Sequence, residues 1–491
     1  MMNPNTPVII GVAQVEQRPA DLLAGQQPID MMVDAVRQAA RDSGNEGVLA
    51  AVESVRVIRG IWRYKQPAGY VAEKIGVPDA ETVGSCFGGN MVQTVVNQSA
   101  LDILNGDKSL IVITGAENGN SQAKARKAGI ELPVTETSGD YSRMIGEEAP
   151  MSAEAEVARG IRMPIQLYPM FENALRHHKG ETLDAHQKRI SELWAGFSKV
   201  ASGNPHAWIK TPVDAETIRT PAPSNRMISY PYPKLMNSNS AVDMGAALIM
   251  CSVAKARELN IDEGQWVYPW AGTDAHDHYF VSNRDNLYSS PAIRIAGKRL
   301  LELAGLQVSD IDLLDVYSCF PSAVQVAINE LGLDASKPLT VTGGLTFGGG
   351  PLNNYVMHSI ARMVELLRAA PGQKGMITAN GGWLTKHAFG LYSTTPPETD
   401  FQHEDVQAAV DATPRRECLA DYAGPITIES YVVMYGADGP ATGNIAGLTP
   451  AGERVWANTE DQALIDDMTR REFCGLAADV NADGIFSLAQ G

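Results

Sequence analysis

Residues 87–119 read FGGNMVQTVVNQSALDILNGDKSLIVITGAENG, and residues 347–382 read FGGGPLNNYVMHSIARMVELLRAAPGQKGMITANGG. Each begins with a Gly-rich loop, continues into a helical pattern, turns briefly and enters an apolar run. In the first, Met91, Val92, Val95, Val96 and Ile103 recur at helical spacing, and Gly106 is placed to cap the C-terminus. SLIVITGAENG is nearly all apolar, the pattern of a strand covered on both faces. The two segments lie 260 positions apart, judged from Phe87 and Phe347. Their likeness predicts a duplication in which two Gly-rich loops meet at one central cleft.

Outward from this pair, VIIGVAQ (8–14) and VESVRVIRG (52–60) predict strands, and 28–44 predicts an amphipathic helix. Strands alternating with helices predict a parallel α/β sheet. The stretch 121–235 breaks that rhythm with helical pieces and Pro-rich connections, and predicts an inserted cap. AALIMCSVA (246–254) returns as a strand, and the alternation resumes over 263–395. TTPPETDFQHEDVQ (394–407) has the composition of a linker. Short β-rich runs with Gly turns over 410–491 predict a small added β domain.

The 491 residues carry a net charge of −17, with 44% hydrophobic and 20% charged residues. That balance excludes a disordered chain. The acidity argues against a nucleic-acid partner, which would call for a basic face. No apolar run reaches the length of a membrane-spanning helix. Five cysteines without a CxxC pair predict neither a disulfide framework nor a metal centre, and a reduced, cytoplasmic compartment.

These landmarks together resemble the thiolase superfamily and, through the extra C-terminal domain, the thiolase-like proteins of type 1. The resemblance covers about residues 5–395. It implies a duplicated five-layered α/β thiolase fold with a helical cap and an added small β-rich, OB-like domain. The halves would be 1–120 with 236–262, and 263–395; the cap would be 121–235. DLLDVYSCF (312–320) stands where the family has its Asn-Glu-Ala-Phe or His-Asp-Cys-Phe loop. GGLTFGGGP (343–351) matches the loop whose penultimate residue is the family's catalytic His. ANGG (379–382) matches the loop that begins with its acid/base Cys.

The departures bear on chemistry. Gly350 stands at the His position, Ala379 at the second Cys and Tyr317 at the Asn. Aligning the following helix puts Gly89 at the nucleophile, with Cys86 three residues earlier. Cys86 precedes a helix start, whose dipole would favour its thiolate as a displaced nucleophile. Tyr317 could donate a proton to a developing alkoxide or enolate, as a matching Tyr does in thiolase-like aldolases. Those aldolases cleave β-hydroxyacyl-CoA thioesters and work with a partner of OB-like fold, so the added domain could be a fused analogue. His387, after the ANGGW loop, could replace the missing base if the loop folds inward.

The resemblance makes a CoA thioester the substrate and requires no prosthetic group or metal. Trp208 for the adenine, Arg219 and Arg226 for phosphate, and Gly349 and Gly350 for close backbone approach are the candidate contacts. The leading expectation is an acyl-CoA-dependent acyltransferase resembling acetyl-CoA acetyltransferase. A retro-aldol lyase using Tyr317 and a catalytically silent CoA binder are the alternatives. Thiolases pair through the N-terminal half; the added domain could cover that surface, so homodimer and monomer are both open.

Overall fold

The computed structural model describes residues 2–489. The first half runs β1 (Pro7–Glu16), α1 (Pro28–Asp42), β2 (Ser54–Val57), α2 (Pro67–Ile75), β3 (Glu81–Ser85), α3 (Met91–Leu104) and β4 (Leu110–Asn118). The cap follows with α4 (Gly119–Ala128), β5 (Arg143–Ile145), α5 (Glu154–Ala158), α6 (Pro164–Lys179), α7 (Leu183–Gly203), α8 (Ala215–Arg219), β6 (Met227–Tyr230) and β7 (Tyr232–Pro233). Strand β8 (Asp243–Ser252) and α9 (Val253–Glu258) complete that half. The second half contains β9 (Tyr268–His276), α10 (Pro291–Leu303), β10 (Leu313–Asp315), α11 (Pro321–Leu331), α12 (Gly344–Phe347), α13 (Tyr355–Ala369), β11 (Lys374–Gly381) and β12 (Lys386–Ser393). After β13 (Gln402–Asp405) and α14 (Gln407–Asp411) come β14 (Gly424–Tyr435), β15 (Pro440–Leu448), β16 (Arg454–Thr459), α15 (Gln462–Met468), β17 (Ala477–Val480) and β18 (Phe486–Leu488).

The duplication is visible in strand order. The first sheet runs β1-β8-β4-β2-β3-β5, and the second runs β10-β11-β12-β9-β13. In each, the late strand of the half lies antiparallel between its first strand and its central one: β8 between β1 and β4, β12 between β9 and β11. Helix α3 packs on β9, β11 and β12, while α13 packs on β1, β8 and β11. These two helices fill the space between the sheets, with α1 and α2 outside the first sheet and α10 outside the second. That is five layers. A helix between two sheets is buried on nearly every side. Hence α3 buries Gln93, Asn97, Ser99 and Asp102 as well as its apolar residues, and each polar group is paired. Gly106 follows α3 with φ +81, the left-handed conformation expected of a helix stop.

Two segments differ from the sequence reading. The linker stretch is partly ordered into a sheet, because Gln402–Asp405 pairs in parallel with β9. The free edge of the first sheet is covered by the chain itself: β5, from the cap, pairs in parallel with β3. An ion-paired cluster fastens it, with Asp102 accepting from Arg56 and from Arg143 at 2.9 Å. The added domain lies elsewhere. Its β14 packs on α6 and pairs with β6, and Arg454 donates to the carbonyls of Val281, Ser282 and Arg284. Within it, β14 pairs with β15 and β17, β15 with β16, and β17 with β18. A parallel bridge from Asn458 to Ile485 brings the ends of this sheet together.

Candidate active site

The centre forms where the loop after β3, the loop after β10 and the end of β11 converge. Asp315 sets the frame. It is fully buried and accepts from Thr340, Thr342, Tyr355, Ser359 and the Val341 amide at 2.9–3.1 Å. One carboxylate thereby ties β10 to the GGLTFGGG loop and to α13. Two residues on, the Tyr317 amide donates to Thr378 Oγ1 at 2.9 Å. The Tyr317 ring stands edge-on to Tyr355, with centroids 5.5 Å apart.

Its hydroxyl faces Gly89. A methyl group added at Gly89 would fall on Tyr317 Oη and on the carbonyl oxygen of Asn380. The loop therefore needs glycine here, and the phenol occupies the room a nucleophile's side chain would take. Tyr317 is 8% exposed, and burial raises its pKa well above the ordinary value, so the phenol keeps its proton.

A second tyrosine completes the centre. Tyr168 on α6 accepts from Asn380 Nδ2 at 3.0 Å and from the Leu384 amide at 2.9 Å. Asn380 also approaches Cys319 Sγ at 3.8 Å. Burial pushes the Cys319 thiol up to about 12. The amide oxygens of Asn90 and Asn380 are buried there without a partner among the described residues. Tyr168 carried no motif in the sequence. Asn380 stood inside the quoted ANGG loop, one residue beyond the position compared with the family.

The other two candidates differ in their surroundings. Cys86 is buried, but it lies five residues before the first residue of α3, and the dipole acts within the first turn. The expected lowering is corrected: burial and Glu148 raise its pKa, with Lys386 only partly opposing them. Glu148 is close enough to accept from the Phe87 amide at 3.1 Å. His387 is not a surface residue: it stands opposite Asn380 in the β11–β12 ladder. It is 2% exposed on β12, with Nε2 3.2 Å from the Leu384 carbonyl and 3.5 Å from Asp277. It shares a face with Thr378, Asn380 and Phe389, and it borders, together with Tyr317 and Asn380, a cavity of about 10 Å³ that also touches Ile293 of α10 and Ala323 of α11. The opposite face, at Gly390 and Gly272, meets Gln93 and Asn97 of α3.

Among the candidate CoA contacts, Trp208 and Gly349 come together, and Trp208 Cβ lies 3.3 Å from the place of a Gly349 side chain. The Arg18 guanidinium covers one face of the Trp208 ring at 3.8 Å, so that face is closed to an adenine. Arg219 pairs with Glu216 on α8, which packs on α7, and exposed Arg226 donates to the Met227 carbonyl. The Gly350 amide donates to the Asn239 carbonyl at 3.0 Å. His177, Glu472 and Cys474 place possible metal ligands within 4.8 Å of one another, but Arg176 already holds Glu472 at 2.7 Å. No helix among the described residues is long and apolar enough to cross a membrane.

Residues 405–485 match the family described as thiolase-like protein type 1 additional C-terminal domain. An acetyl-CoA acetyltransferase of Methanothermobacter thermautotrophicus is 23% identical over 392 residues, covering 73% of this chain and 94% of that protein. The crystal structure of a monomeric SCP2-thiolase-like protein type 1 from Mycobacterium smegmatis is 32% identical. It superposes with a TM-score of 0.86, over 99% of this chain and 100% of that one. The Ltp2-ChsH2(DUF35) aldolase shares the fold at 21% identity and a TM-score of 0.61, covering 79% of this chain and 98% of that one. With the duplicated five-layer core, the Gly-rich loops and the additional domain all in place, the chain belongs to the thiolase superfamily, as a thiolase-like protein of type 1.

Proposed function

We propose that this protein binds a CoA thioester and cleaves a β-hydroxyacyl-CoA by retro-aldol chemistry, with Tyr317 as proton donor. The observation that carries this reading is the Tyr317 phenol standing in front of Gly89, in the room a nucleophile's side chain would need. Acyl transfer through cysteine has less support. The thiols of Cys86 and Cys319 are both shifted away from thiolate, and Ala379 and Gly350 offer no proton-transfer group.

A retro-aldol step needs no thiol. The β-hydroxyl loses its proton, the C2–C3 bond breaks, C3 becomes a carbonyl, and the electron pair enters the thioester as an enolate. Water takes up the proton lost from the hydroxyl, and Tyr317, held neutral, gives its proton to C2 and is reprotonated from water, which closes the proton balance. The partnerless amide oxygens of Asn90 and Asn380 support a polar ligand beside that phenol.

The test is a panel of β-hydroxyacyl-CoA substrates followed by mass spectrometry of both products. The expected result is a matched acyl-CoA and carbonyl product, reduced at least about a hundredfold in Tyr317→Phe while CoA-thioester binding persists. Binding without turnover in either protein would favour a silent CoA-thioester binder, the reading suggested by the depleted family positions. An acyl adduct on Cys86, absent from Cys86→Ser, would restore the acyltransferase.

A further inference from the structure

Residues 382–385 join β11 to β12 in a tight turn. Gly382 holds φ at +64 and Leu384 at +55. Glycine takes this left-handed region freely and leucine does not, so Leu384 keeps that backbone only because its neighbours over-determine it. Its amide donates to the Tyr168 hydroxyl at 2.9 Å. Its carbonyl accepts from Arg284 Nη2 and stands 3.2 Å from His387 Nε2. Strained turns of this kind gather where a chain must present particular groups to a site.

Of these holders, His387 is the one carried by the hairpin itself. It is buried opposite Asn380, the residue through which the hairpin enters the candidate centre. Asn380 turns its carbonyl to Gly89 and its side-chain amide to Tyr168, and Tyr168 Oη donates in turn to the Gly382 carbonyl at 3.3 Å. His387 Nε2 has a second acceptor in Asp277, at 3.5 Å. Asp277 is fixed, since it accepts from the Ser290 hydroxyl at 2.5 Å and the Ala292 amide at 3.0 Å, and its own amide donates to the Thr385 carbonyl at 2.8 Å. The imidazole is thereby anchored at Nε2 to both the turn and the loop after β9. Its ring borders the same small cavity as Thr378, whose hydroxyl oxygen takes the Tyr317 amide at 2.9 Å.

We propose that His387 is a positioning residue for the candidate centre. Its Nε2–H pins the Leu384 carbonyl, keeps the turn left-handed and so holds Asn380 and Tyr168 in place beside Tyr317 and Gly89. Its effect on turnover rests on the retro-aldol reading above; the geometry that it holds does not. Without that donor, the Leu384 carbonyl keeps only Arg284, the turn relaxes, and the Asn380 and Leu384 donors move off Tyr168. A displacement of about 1 Å at a reacting centre is enough to cost about a hundredfold in rate.

Two substitutions separate the hydrogen bond from the packing. His387→Gln puts an N–H where Nε2 stood, and His387→Phe keeps a ring and removes the donor. Turnover of a β-hydroxyacyl-CoA is measured for each, together with carbon NMR of the full chain labelled at tyrosine Cζ. Tyr168→Phe identifies the Tyr168 signal. In His387→Phe, kcat should fall at least about tenfold with KM held within about twofold, and the Tyr168 signal should move. His387→Gln should recover both. If the melting temperature shows that His387→Phe is not folded, His387→Leu takes its place. An unmoved Tyr168 signal in the donorless variant overturns the proposal. So does a kcat within about twofold of the wild type in that variant, or an equal loss in His387→Gln. Should the wild type itself turn nothing over, the retro-aldol reading falls and the Tyr168 signal alone decides whether His387 holds the turn.

Discussion

The two Gly-rich loops occupy matched places in matched halves, yet they meet different neighbours. Gly89 is faced across the molecule by the Tyr317 hydroxyl and the Asn380 carbonyl, both from the second half. Gly349 is faced by Met244 and by Trp208 of the cap, and holds φ at +110. The strand ends beside them differ as well. β11 ends just past Asn380, which is bonded to Tyr168, whereas β4 ends just past Glu117, which accepts from the Ile61 amide at 3.0 Å. Burial pushes the Glu117 carboxyl up to about 8. A duplicated backbone thus provides two equivalent frames, and the side chains brought in from outside each frame decide which one can do chemistry.

The comparison can be broken most forcefully at Gly89. Gly89→Cys restores a nucleophile's side chain but drives its Cβ into the Tyr317 hydroxyl and a backbone oxygen that cannot rotate away. A loss of about 3 kcal/mol is expected in urea unfolding. Pairing it with Tyr317→Ala should recover only part, because the Asn380 carbonyl remains. A wild-type midpoint for Gly89→Cys would show that the phenol does not fill that space.

Next comes the strand end. The native Glu117 carboxyl, at about 8, keeps its proton where the unfolded chain, near 4.5, has released it. Its contribution to stability is therefore present below about pH 4.5 and is lost as pH rises towards 8. Glu117→Gln should unfold at a higher temperature than wild type at pH 9, by up to about 3 kcal/mol in stability, and the gap should shrink at pH 5. Greater stability of the wild type at pH 9 would instead make Glu117 a charged partner of Arg59.

The smallest effects sharpen the contrast within the second loop. Gly349→Ala combines a left-handed backbone with a contact on Met244 sulfur, and should cost about 2 kcal/mol. Gly350→Ala meets its nearest atoms at 3.1–3.4 Å and should cost about 1 kcal/mol. Equal losses at both positions would remove the distinction drawn between them.

Much of the fold was legible because it rests on local periodicity. The nearly all-apolar LIVIT run reads as a strand covered on both faces, and the pattern of α3 marked its buried stripe. Tyr317 was legible too, since DLLDVYSCF stands at a recognisable place in the order of landmarks. Tyr168 was not, because a tyrosine within an amphipathic helix carries no sign of the loop it will meet 212 residues away. β5 escaped notice because three residues, Arg143–Ile145, form a strand only when β3 offers them an open edge. His387 was read as part of a loop, whereas it lies on β12, where strand pairing sets it opposite Asn380 and beside the cavity that Tyr317 borders.

The sequence by itself determined the duplicated α/β architecture, the cap, the added β-rich domain and the loss of the family's Cys, His and Asn. The first three follow from periodicity and composition, which need no partner, and the last is what the resemblance of the quoted loops to the thiolase superfamily implies. The tertiary structure alone decided that Tyr317 faces Gly89, that Cys86 is denied the help of the helix dipole, and that the Leu384 amide meets the Tyr168 hydroxyl. Each of these depends on distance and desolvation between segments far apart in the chain, and neither quantity is written in the order of residues.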